Sequence, residues 1–252
     1  MRAFITGASS GIGEGLALHY ASAGATIGLC ARRAPLLGEL GRALEAKGAR
    51  AIVYAADVAD TAEMGRAAEA FVAAAGGVDL VIANAGIGIA NEILAGKAEP
   101  IARLLRVNII GVTNTIVPFV PIMLKQGAGT LAAVSSLAGF RGLPGRAAYS
   151  ASKAAVITFM DALRLDLHGS GVHAMSLCPG FVHTPMTERL SGRMPFAISR
   201  DEAVRQMTRA IARRAHTFAF PWQARALSHV FTVAPEALVR RLAPAARNVG
   251  SD

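Results

Sequence analysis

The chain has 252 residues, of which 53% are hydrophobic and 17% charged, and its formal net charge is +9. A chain of this length can bury a full core without disulfide or metal staples, and its apolar fraction excludes intrinsic disorder. The two cysteines, Cys30 and Cys178, are too few for a disulfide framework and lack the spacing of a metal cluster, so we expect a reducing compartment and no metal.

Short apolar runs alternate along the chain with longer amphipathic ones. The apolar runs predict strands at 3–6, 26–30, 51–55, 80–83, 130–134, 172–177 and 217–220. The amphipathic runs predict helices at 13–23, 34–47, 60–75, 98–126, 148–169 and 199–214. Nearly continuous apolar strands are expected when helices cover both faces of a parallel sheet. The alternation therefore predicts an α/β fold, a doubly wound, Rossmann-like parallel sheet of about seven strands.

Nothing in the sequence divides it into parts. We find no repeat, linker or change of composition, so we predict one domain over residues 1–252. The first residues run straight into a strand and a glycine turn, unlike a targeting peptide. The most apolar long stretch, 107–124, contains two asparagines and two prolines, whereas a bilayer span needs about 20 apolar residues. We therefore expect a buried helix there and a cytoplasmic protein.

The first predicted strand ends in a glycine-rich turn that leads directly into a helix. Its spacing is G-x-x-x-G-x-G, which lets the backbone turn tightly and approach a pyrophosphate, while the helix N-terminus supplies amide donors. Such a turn can also be only a tight strand–helix corner, but its place after the first strand favours binding. The predicted cofactor contacts in this turn are Gly7, Ser9, Ser10, Gly11, Ile12 and Gly13.

The end of the second predicted strand distinguishes between the two nicotinamide dinucleotides. In NAD-binding domains an acidic residue about 20 residues beyond the glycines accepts a bond from the ribose 2′-OH. Here Ala31 stands in that place and Arg32 and Arg33 follow it. A guanidinium can bind a 2′-phosphate, whereas a carboxylate would repel it. The alternative is a solvated basic start to the next helix, and we predict NADP(H) in preference to NAD(H).

A second motif lies in the helix predicted at 148–169. Tyr149 and Lys153 are four residues apart and share one helix face, 13 residues after Ser136 at the end of an apolar strand. With these motifs, the chain resembles the short-chain dehydrogenase/reductase family over about residues 1–220. Further matching positions are Asp57, Val58, Asn84, Ala85, Gly86, Asn108, Pro179, Gly180 and Thr184. One departure is Ala83, where the family often has a second asparagine.

The resemblance implies an oxidoreductase that interconverts a secondary alcohol and a carbonyl by hydride transfer. Tyr149 would be the acid/base, and the ammonium of Lys153 would lower its pKa and also bind the nicotinamide ribose. Ser136 would hold the substrate oxygen, and Asn108 would kink its helix and hold a water that relays protons.

The same resemblance implies where the cofactor would lie. Thr184 and the backbone of Val182 would hold the nicotinamide carboxamide. Asp57 and Val58 would meet the adenine. The remaining matching positions after the fourth and sixth strands, Asn84-Ala85-Gly86 and Pro179-Gly180, would also face the cofactor.

The segment 185–198 is predicted to close over the substrate as a lid. The apolar residues that could surround the substrate are Met186, Leu190, Met194 and Phe196 in the lid and Ile87, Ile89, Phe140 and Leu143 opposite. They favour an apolar or aromatic carbonyl compound, or its alcohol, over a sugar phosphate. The alternative is that they pack the lid onto its own domain.

The variable tail, 222–252, combines apolar residues with arginines, and Pro235 divides it into two short predicted helices. This stripe could lie on an anionic membrane surface, but we favour packing on its own domain or on another subunit. We expect a homodimer or homotetramer that pairs through the helices at 98–126 and 148–169.

Two other functions are compatible with parts of the sequence. A nucleotide-sensing protein on the same fold would not need Ser136, Tyr149 and Lys153, which are all present. A nucleic-acid-binding module would use the net charge of +9, but no basic motif interleaved with aromatic residues is found. We therefore expect no nucleic-acid partner.

Overall fold

The computed structural model describes residues 1–88, 93, 96–188, 194–235 and 237. Its strands are β1 (Arg2–Thr6), β2 (Thr26–Ala31), β3 (Arg50–Ala55), β4 (Leu80–Ala83), β5 (Gly129–Val134), β6 (Val172–Pro179) and β7 (Thr217–Phe220). They form one sheet in the order β3-β2-β1-β4-β5-β6-β7, and every neighbouring pair is parallel. This confirms the predicted seven-stranded parallel sheet.

Helices cover both faces of the sheet. They are α1 (Gly11–Tyr20), α2 (Ala34–Glu45), α3 (Thr61–Ala75), α4 (Ala98–Leu105), α5 (Gly111–Ile116), α6 (Val120–Gln126), α7 (Ala147–Asp166), α8 (Arg200–Ala212) and α9 (Trp222–Val233). One buried cluster packs α1, α2 and α8 on one face, with Leu16, Leu37 and Met207 at its centre. A second packs the other face, where Phe71, Phe119 and Met160 come from α3, the turn before α6, and α7. The fold is therefore doubly wound, as predicted.

The helix predicted at 98–126 is one run with two irregular turns. A π-helical turn, Arg106–Ile110, joins α4 to α5, and a 3-10 turn, Val117–Phe119, joins α5 to α6. Pro118 lacks the N–H that an α-helix interior requires, which explains the second irregularity. π-Helical turns occur often at functional sites, and this one contains Asn108.

The same run is the most apolar part of the described chain. Ala98–Gln126 is long and apolar enough to cross a membrane, with a mean hydropathy of 1.7 over its best window. Half of that window is buried inside the fold, where α5 packs on β4 and α3. The run is therefore half-buried, which agrees in part with the buried helix that the sequence predicted.

The C-terminal part agrees with the prediction as far as it is described. The first predicted tail helix is α9, and the guanidinium of Arg141 donates to carbonyl oxygens at its end, those of Phe231, Thr232 and Ala234. The second predicted tail helix, after Pro235, lies largely outside the described residues.

Candidate active site

The predicted site residues come together at the carboxyl ends of the strands. The segments after β1, β4, β5 and β6 carry the glycine turn, Asn84, Ser136 and Gly180. The strand order reverses between β1 and β4, and a doubly wound sheet binds its ligand in the crevice at such a point. The order of the sheet thus places motifs that are far apart in sequence around one crevice.

The glycine turn needs glycine for two different reasons. Gly7 and Gly11 have φ of 66° and 60°, a left-handed conformation that side chains disfavour. Gly13 has no such φ, but a Cβ there would lie 2.3 Å from the Gly7 oxygen. A Cβ on Gly11 would lie 3.5 Å from the side chain of Thr184, so the turn also approaches the loop after β6.

Asn84 fixes this turn from the neighbouring strand. Its Nδ2 donates to the carbonyl oxygens of Thr6 at 3.0 Å and Gly7 at 3.3 Å. The Thr6 hydroxyl in turn accepts from the backbone N–H groups of Asn84 at 3.2 Å and Ala85 at 3.3 Å. The structure therefore gives the Asn84 side chain a role in holding the turn, in addition to the predicted one near the cofactor.

Arg33 and the turn serines form one polar cluster. The guanidinium of Arg33 donates to Ser9 Oγ at 2.8 Å and to Ser10 Oγ at 2.7 Å. Arg32 points instead to Asp57, with 3.7 Å between Nη1 and Oδ2, and both side chains are largely exposed. An exposed pair at this distance contributes little to stability. The cluster puts one guanidinium and two hydroxyls beside the turn, all able to donate to an anion.

The two residues predicted to meet the adenine are held at the end of β3. Asp57 Oδ1 accepts from the Ala59 N–H at 3.0 Å. Val58 is buried against α5, where a Cβ on Gly111 would lie 2.6 Å from Val58 Cγ2. The Val58 oxygen accepts from Asn114 Nδ2 at 2.9 Å. Both residues therefore have a defined position beside the crevice.

Ser136, Tyr149 and Lys153 meet at the opposite side of the crevice. Tyr149 is the third residue of α7, and the Lys153 Nζ lies 5.7 Å from the centre of its ring. The Ser136 hydroxyl accepts from the Ala138 N–H at 3.1 Å, and hydrogen bonding by Ser136 lowers the pKa of Tyr149. Lys153 is buried and donates to the Val134 oxygen at 3.0 Å. The three side chains that the sequence singled out form one cluster.

Asn108 is buried behind this cluster. Its Oδ1 accepts from the Ile87 N–H at 2.8 Å, and its Nδ2 donates to the Ile87 oxygen at 3.0 Å and to Ser152 Oγ at 3.2 Å. A Cβ on Gly86 would lie 3.3 Å from Asn108 Oδ1 and 3.5 Å from Lys153 Nζ. Gly86 therefore leaves the space in which the asparagine and the lysine approach each other.

Three further hydroxyls support the site residues, and the sequence did not predict them. Ser135 donates to the Lys153 oxygen at 2.7 Å, and Ser152 donates to the Tyr149 oxygen at 2.7 Å. Thr187 donates to the Val182 oxygen at 2.6 Å and accepts from the Thr184 N–H at 3.0 Å. No motif identified them, because each acts on the backbone of a residue that does carry a motif.

Burial controls the protonation of Tyr149 and Lys153. Loss of water around Lys153 lowers its pKa to about 8. Loss of water raises the pKa of Tyr149, while the Ser136 hydrogen bond and the charge of Arg146 lower it. We expected Lys153 to be the group that lowers it. The predicted effect of Lys153 on this pKa stays a prediction.

The predicted lid is described in part. Val182, three residues before the segment, pairs in a parallel bridge with Ile198, its last residue, so the two ends of the segment lie close together. Met186 and Phe196 are exposed there, and Phe140 and Leu143 are exposed in the loop after β5. The predicted substrate contacts Ile89 and Leu190 lie outside the described residues. Pro179 ends β6 and Gly180 follows it, and Ser136 Oγ donates to the Pro179 oxygen at 3.4 Å.

Comparison with known proteins agrees with this geometry. The model of the short chain dehydrogenase family matches residues 1–194. The chain belongs to the short-chain dehydrogenase/reductase family. A relative from Myxococcus xanthus named an uncharacterized oxidoreductase is 39% identical over 244 residues, which cover 95% of this chain and 96% of the relative.

Two further family members have more specific names. A 3-oxoacyl-[acyl-carrier-protein] reductase of Thermotoga maritima is 35% identical over 186 residues, 74% of this chain and 76% of that one. The solved structure of a short-chain dehydrogenase from Sphingobium yanoikuyae in complex with NADPH has a TM-score of 0.80 at 27% identity. The match covers 94% of this chain and 97% of the Sphingobium yanoikuyae chain. As a family member, the chain is an oxidoreductase that acts on CH–OH or carbonyl groups.

Proposed function

We propose that this protein is an NADP(H)-dependent oxidoreductase that interconverts a secondary alcohol and a carbonyl, with Tyr149 as the acid/base. The observation that carries the proposal is the cluster of Ser136, Tyr149 and Lys153, in which Lys153 Nζ lies 5.7 Å from the centre of the tyrosine ring. A reduction of this kind needs a hydride donor and a proton for the developing alkoxide. Tyr149 would supply the proton.

A nicotinamide dinucleotide fits the residues present. The left-handed glycines, Gly7 and Gly11, shape a turn at the N-terminus of α1, where amide donors favour a pyrophosphate. Arg33, Ser9 and Ser10 would hold a 2′-phosphate, which supports NADP(H) over NAD(H). When bound, the nicotinamide gives or takes the hydride at its C4. Thr184, beside Gly11, would hold the nicotinamide end.

Each residue around the reacting oxygen would have a separate role. Ser136 would donate to the substrate oxygen and orient it toward the Tyr149 hydroxyl. Lys153 would bind ribose hydroxyls through its Nζ, which already donates to Val134. Asn108 would hold the π-helical turn in place beside Lys153, because its side-chain Oδ1 and Nδ2 both hydrogen-bond to the backbone of Ile87.

The substrate class follows from the surface around the crevice. The exposed apolar side chains of Phe140, Leu143, Met186 and Phe196 favour an apolar or aromatic carbonyl compound. The name of the Thermotoga maritima relative, a reductase of 3-oxoacyl groups, supports a carbonyl carried on an aliphatic chain.

We also propose one domain over residues 1–252, a cytoplasmic location and a homodimer or homotetramer. Exposed apolar residues on the 98–126 run, Ile110, Val117 and Leu124, and Leu165 on α7 support pairing through these helices. Sedimentation at micromolar concentration checks the assembly, and a monomer contradicts it.

The activity is tested with a panel of carbonyl compounds. NADPH absorbance is followed with apolar ketones, aromatic aldehydes and 3-oxoacyl thioesters, and with sugar phosphates as the contrasting class. We expect consumption with apolar carbonyls and stronger binding of NADPH than of NADH. Equal binding of the two dinucleotides contradicts the assignment of Arg33.

A further inference from the structure

Helix α9 lies on the surface of the domain. No residue of α9, which the structure describes in full, is buried, and Trp222 and Val233 at its two ends are 73% and 71% exposed. Its half-buried residues Ala224, Ser228 and Phe231 recur at intervals of four and three, so one side of the helix faces the domain. Packing alone therefore attaches α9 only weakly.

One side chain from a distant part of the sequence supplies a second attachment. Arg141 Nη1 donates to the backbone oxygens of Phe231, Thr232 and Ala234, the last two at 3.0 Å and 3.1 Å. The last carbonyl groups of a helix have no partner within the helix, and a cation beside them is favourable. The last turn of α9, all of it described, carries no basic residue of its own. Arg141 therefore caps α9 from 90 residues away in sequence.

The start of α9 packs on the two segments that meet at Ser136. A Cβ on Gly180 would lie 3.2 Å from Ala224 Cβ of α9 and 3.3 Å from Leu137 Cδ1. Leu137 follows Ser136 directly, and Gly180 follows Pro179, whose oxygen accepts from Ser136 Oγ at 3.4 Å. The first turn of α9 therefore approaches the backbone on both sides of this serine.

The residues after Ser136 form a 3-10 turn, Leu137–Gly139, that contacts both α7 and α9. On the side of α7, a Cβ on Gly139 would lie 2.8 Å from the Lys153 carbonyl carbon. Arg141 follows this turn by two residues. Its bonds to the end of α9, together with the packing at the start of α9, join that helix at both ends to the segment that carries Ser136.

We propose that Arg141 is a positioning residue of this site. Its guanidinium clamps α9 against the 3-10 turn that follows Ser136, and this support keeps the Ser136 hydroxyl in place. The use of that hydroxyl in catalysis rests on the proposed function. The clamp itself does not, because it joins one side chain to three backbone oxygens.

Hydrogen exchange measured by mass spectrometry tests the clamp without any substrate. Arg141→Met keeps a side chain of similar reach and removes the donors and the charge. We expect the amides of α9 to exchange at least about tenfold faster in this variant, the lower end of the effect of losing hydrogen bonds from a charged group. The amides of residues 137–142 should also exchange faster, whereas those of α8 should keep the parental rates.

Two further variants separate the clamp from general effects. Arg141→Lys keeps a cation at the end of α9 but has a shorter reach, so we expect exchange rates between those of the parent and Arg141→Met. Arg213→Met, at an exposed arginine at the end of α8, changes the net charge equally and is expected to match the parent.

Three results would overturn the proposal: parental exchange of α9 in Arg141→Met, faster exchange confined to α9, or equal acceleration in Arg213→Met. Should α8 also exchange faster in Arg141→Met, the whole fold is affected and Arg141→Lys decides. Faster exchange in α9 and 137–142 alone then supports the clamp, and parental exchange refutes it.

Steady-state kinetics separate this inference from the proposed function. Arg141→Met is expected to lower kcat about tenfold, less than the 10²-fold that a misplacement of about 1 Å can cost, and Arg141→Lys to restore part of it. The dissociation constant of NADPH should stay unchanged, because the glycine turn lies at the other end of the crevice. If exchange changes as expected while the parent protein turns over no alcohol or carbonyl, the clamp holds and the proposed function fails. If turnover is found and Arg141→Met keeps the parental kcat, the proposed function holds and the positioning role of Arg141 is refuted.

Discussion

The two ends of the crevice are built from similar side chains in opposite surroundings. At one end, the exposed guanidinium of Arg33 rests on two serine hydroxyls beside the glycine turn. At the other, the buried ammonium of Lys153 donates to a backbone oxygen beside Tyr149 and Asn108. The first cation is open to water and to screening by salt, whereas burial lowers the pKa of the second to about 8. Under the proposed function, the same charge would serve recognition at one end and proton chemistry at the other.

The buried end is expected to be the more sensitive to substitution. Lys153→Met removes the amine and keeps a side chain of similar length. We expect turnover to fall by at least about 10²-fold, the lower end of the effect of a positioned acid–base group, and NADPH affinity to fall as well. Steady-state rates and a fluorescence titration of NADPH measure the two effects. Lys125→Met, at an exposed lysine, is the control. Equal losses of turnover and NADPH affinity in both variants would contradict the claim that the buried end is the more sensitive one.

The lowered pKa of Lys153 also makes stability depend on pH. The unfolded chain, with a lysine pKa near 10.5, binds the proton more tightly than the folded chain at about 8. The free energy of unfolding contributed by this group therefore increases as the pH rises from about 8 to about 10.5, by up to about 3 kcal/mol. Denaturant titrations across this range check it. Lys153→Met should lack the increase, and an identical pH slope in the two proteins would contradict the assigned burial.

The glycine turn at the exposed end depends on space as well as on charge. Gly13→Ala places a Cβ 2.3 Å from the Gly7 oxygen, and we expect a loss of about 1–3 kcal/mol of stability and of cofactor binding. Gly38→Ala is the matched control, because it lies in α2 and its Cβ meets nothing within 4 Å. That change should stabilise the protein by roughly 0.5–1 kcal/mol. Thermal unfolding of both variants decides whether close packing requires the glycine.

The smallest effect is expected from the exposed cation. Arg33→Ser should weaken NADPH binding about tenfold, near the lower end of the range for hydrogen bonds to a charged group, and leave NADH binding unchanged. The difference should shrink at high salt, because the site is open to water. Arg42→Ser, also exposed on α2, serves as the control. An equal loss for both dinucleotides would mean that Arg33 supports the turn and does not read the 2′-phosphate.

Sequence alone predicted the parts of this molecule that depend on local pattern. The seven strands follow from apolar runs, and Asp60 begins α3 with a side-chain bond to the Glu63 N–H at 2.8 Å, as a start signal predicts. The amphipathic pattern predicted one helix over 98–126, but it did not predict the π-helical turn within that helix. That turn coincides with the bonds between the Asn108 side chain and Ile87, a contact across 21 residues.

The site shows the same limit. Ser136, Tyr149 and Lys153 were found by motif, while Ser135, Ser152 and Arg146 were not. Ser135 reaches the Lys153 oxygen only once α7 packs against β5, whereas Ser152 and Arg146 lie within three residues of Tyr149 but belong to no motif. The protonation balance could not be predicted either, since the pKa of Lys153 depends on how much water the folded chain excludes.

The central claim is that Tyr149 supplies and accepts the proton in an NADP(H)-dependent reaction. The most direct measurement compares the parent protein with Tyr149→Phe, using one carbonyl compound identified in the panel and NADPH bound to the same extent in both. Phenylalanine keeps the ring and removes the hydroxyl, so turnover should fall by about 10²–10⁴-fold while the dissociation constant of NADPH stays unchanged. A Tyr149→Phe variant that turns over the compound at the parental rate would contradict the account.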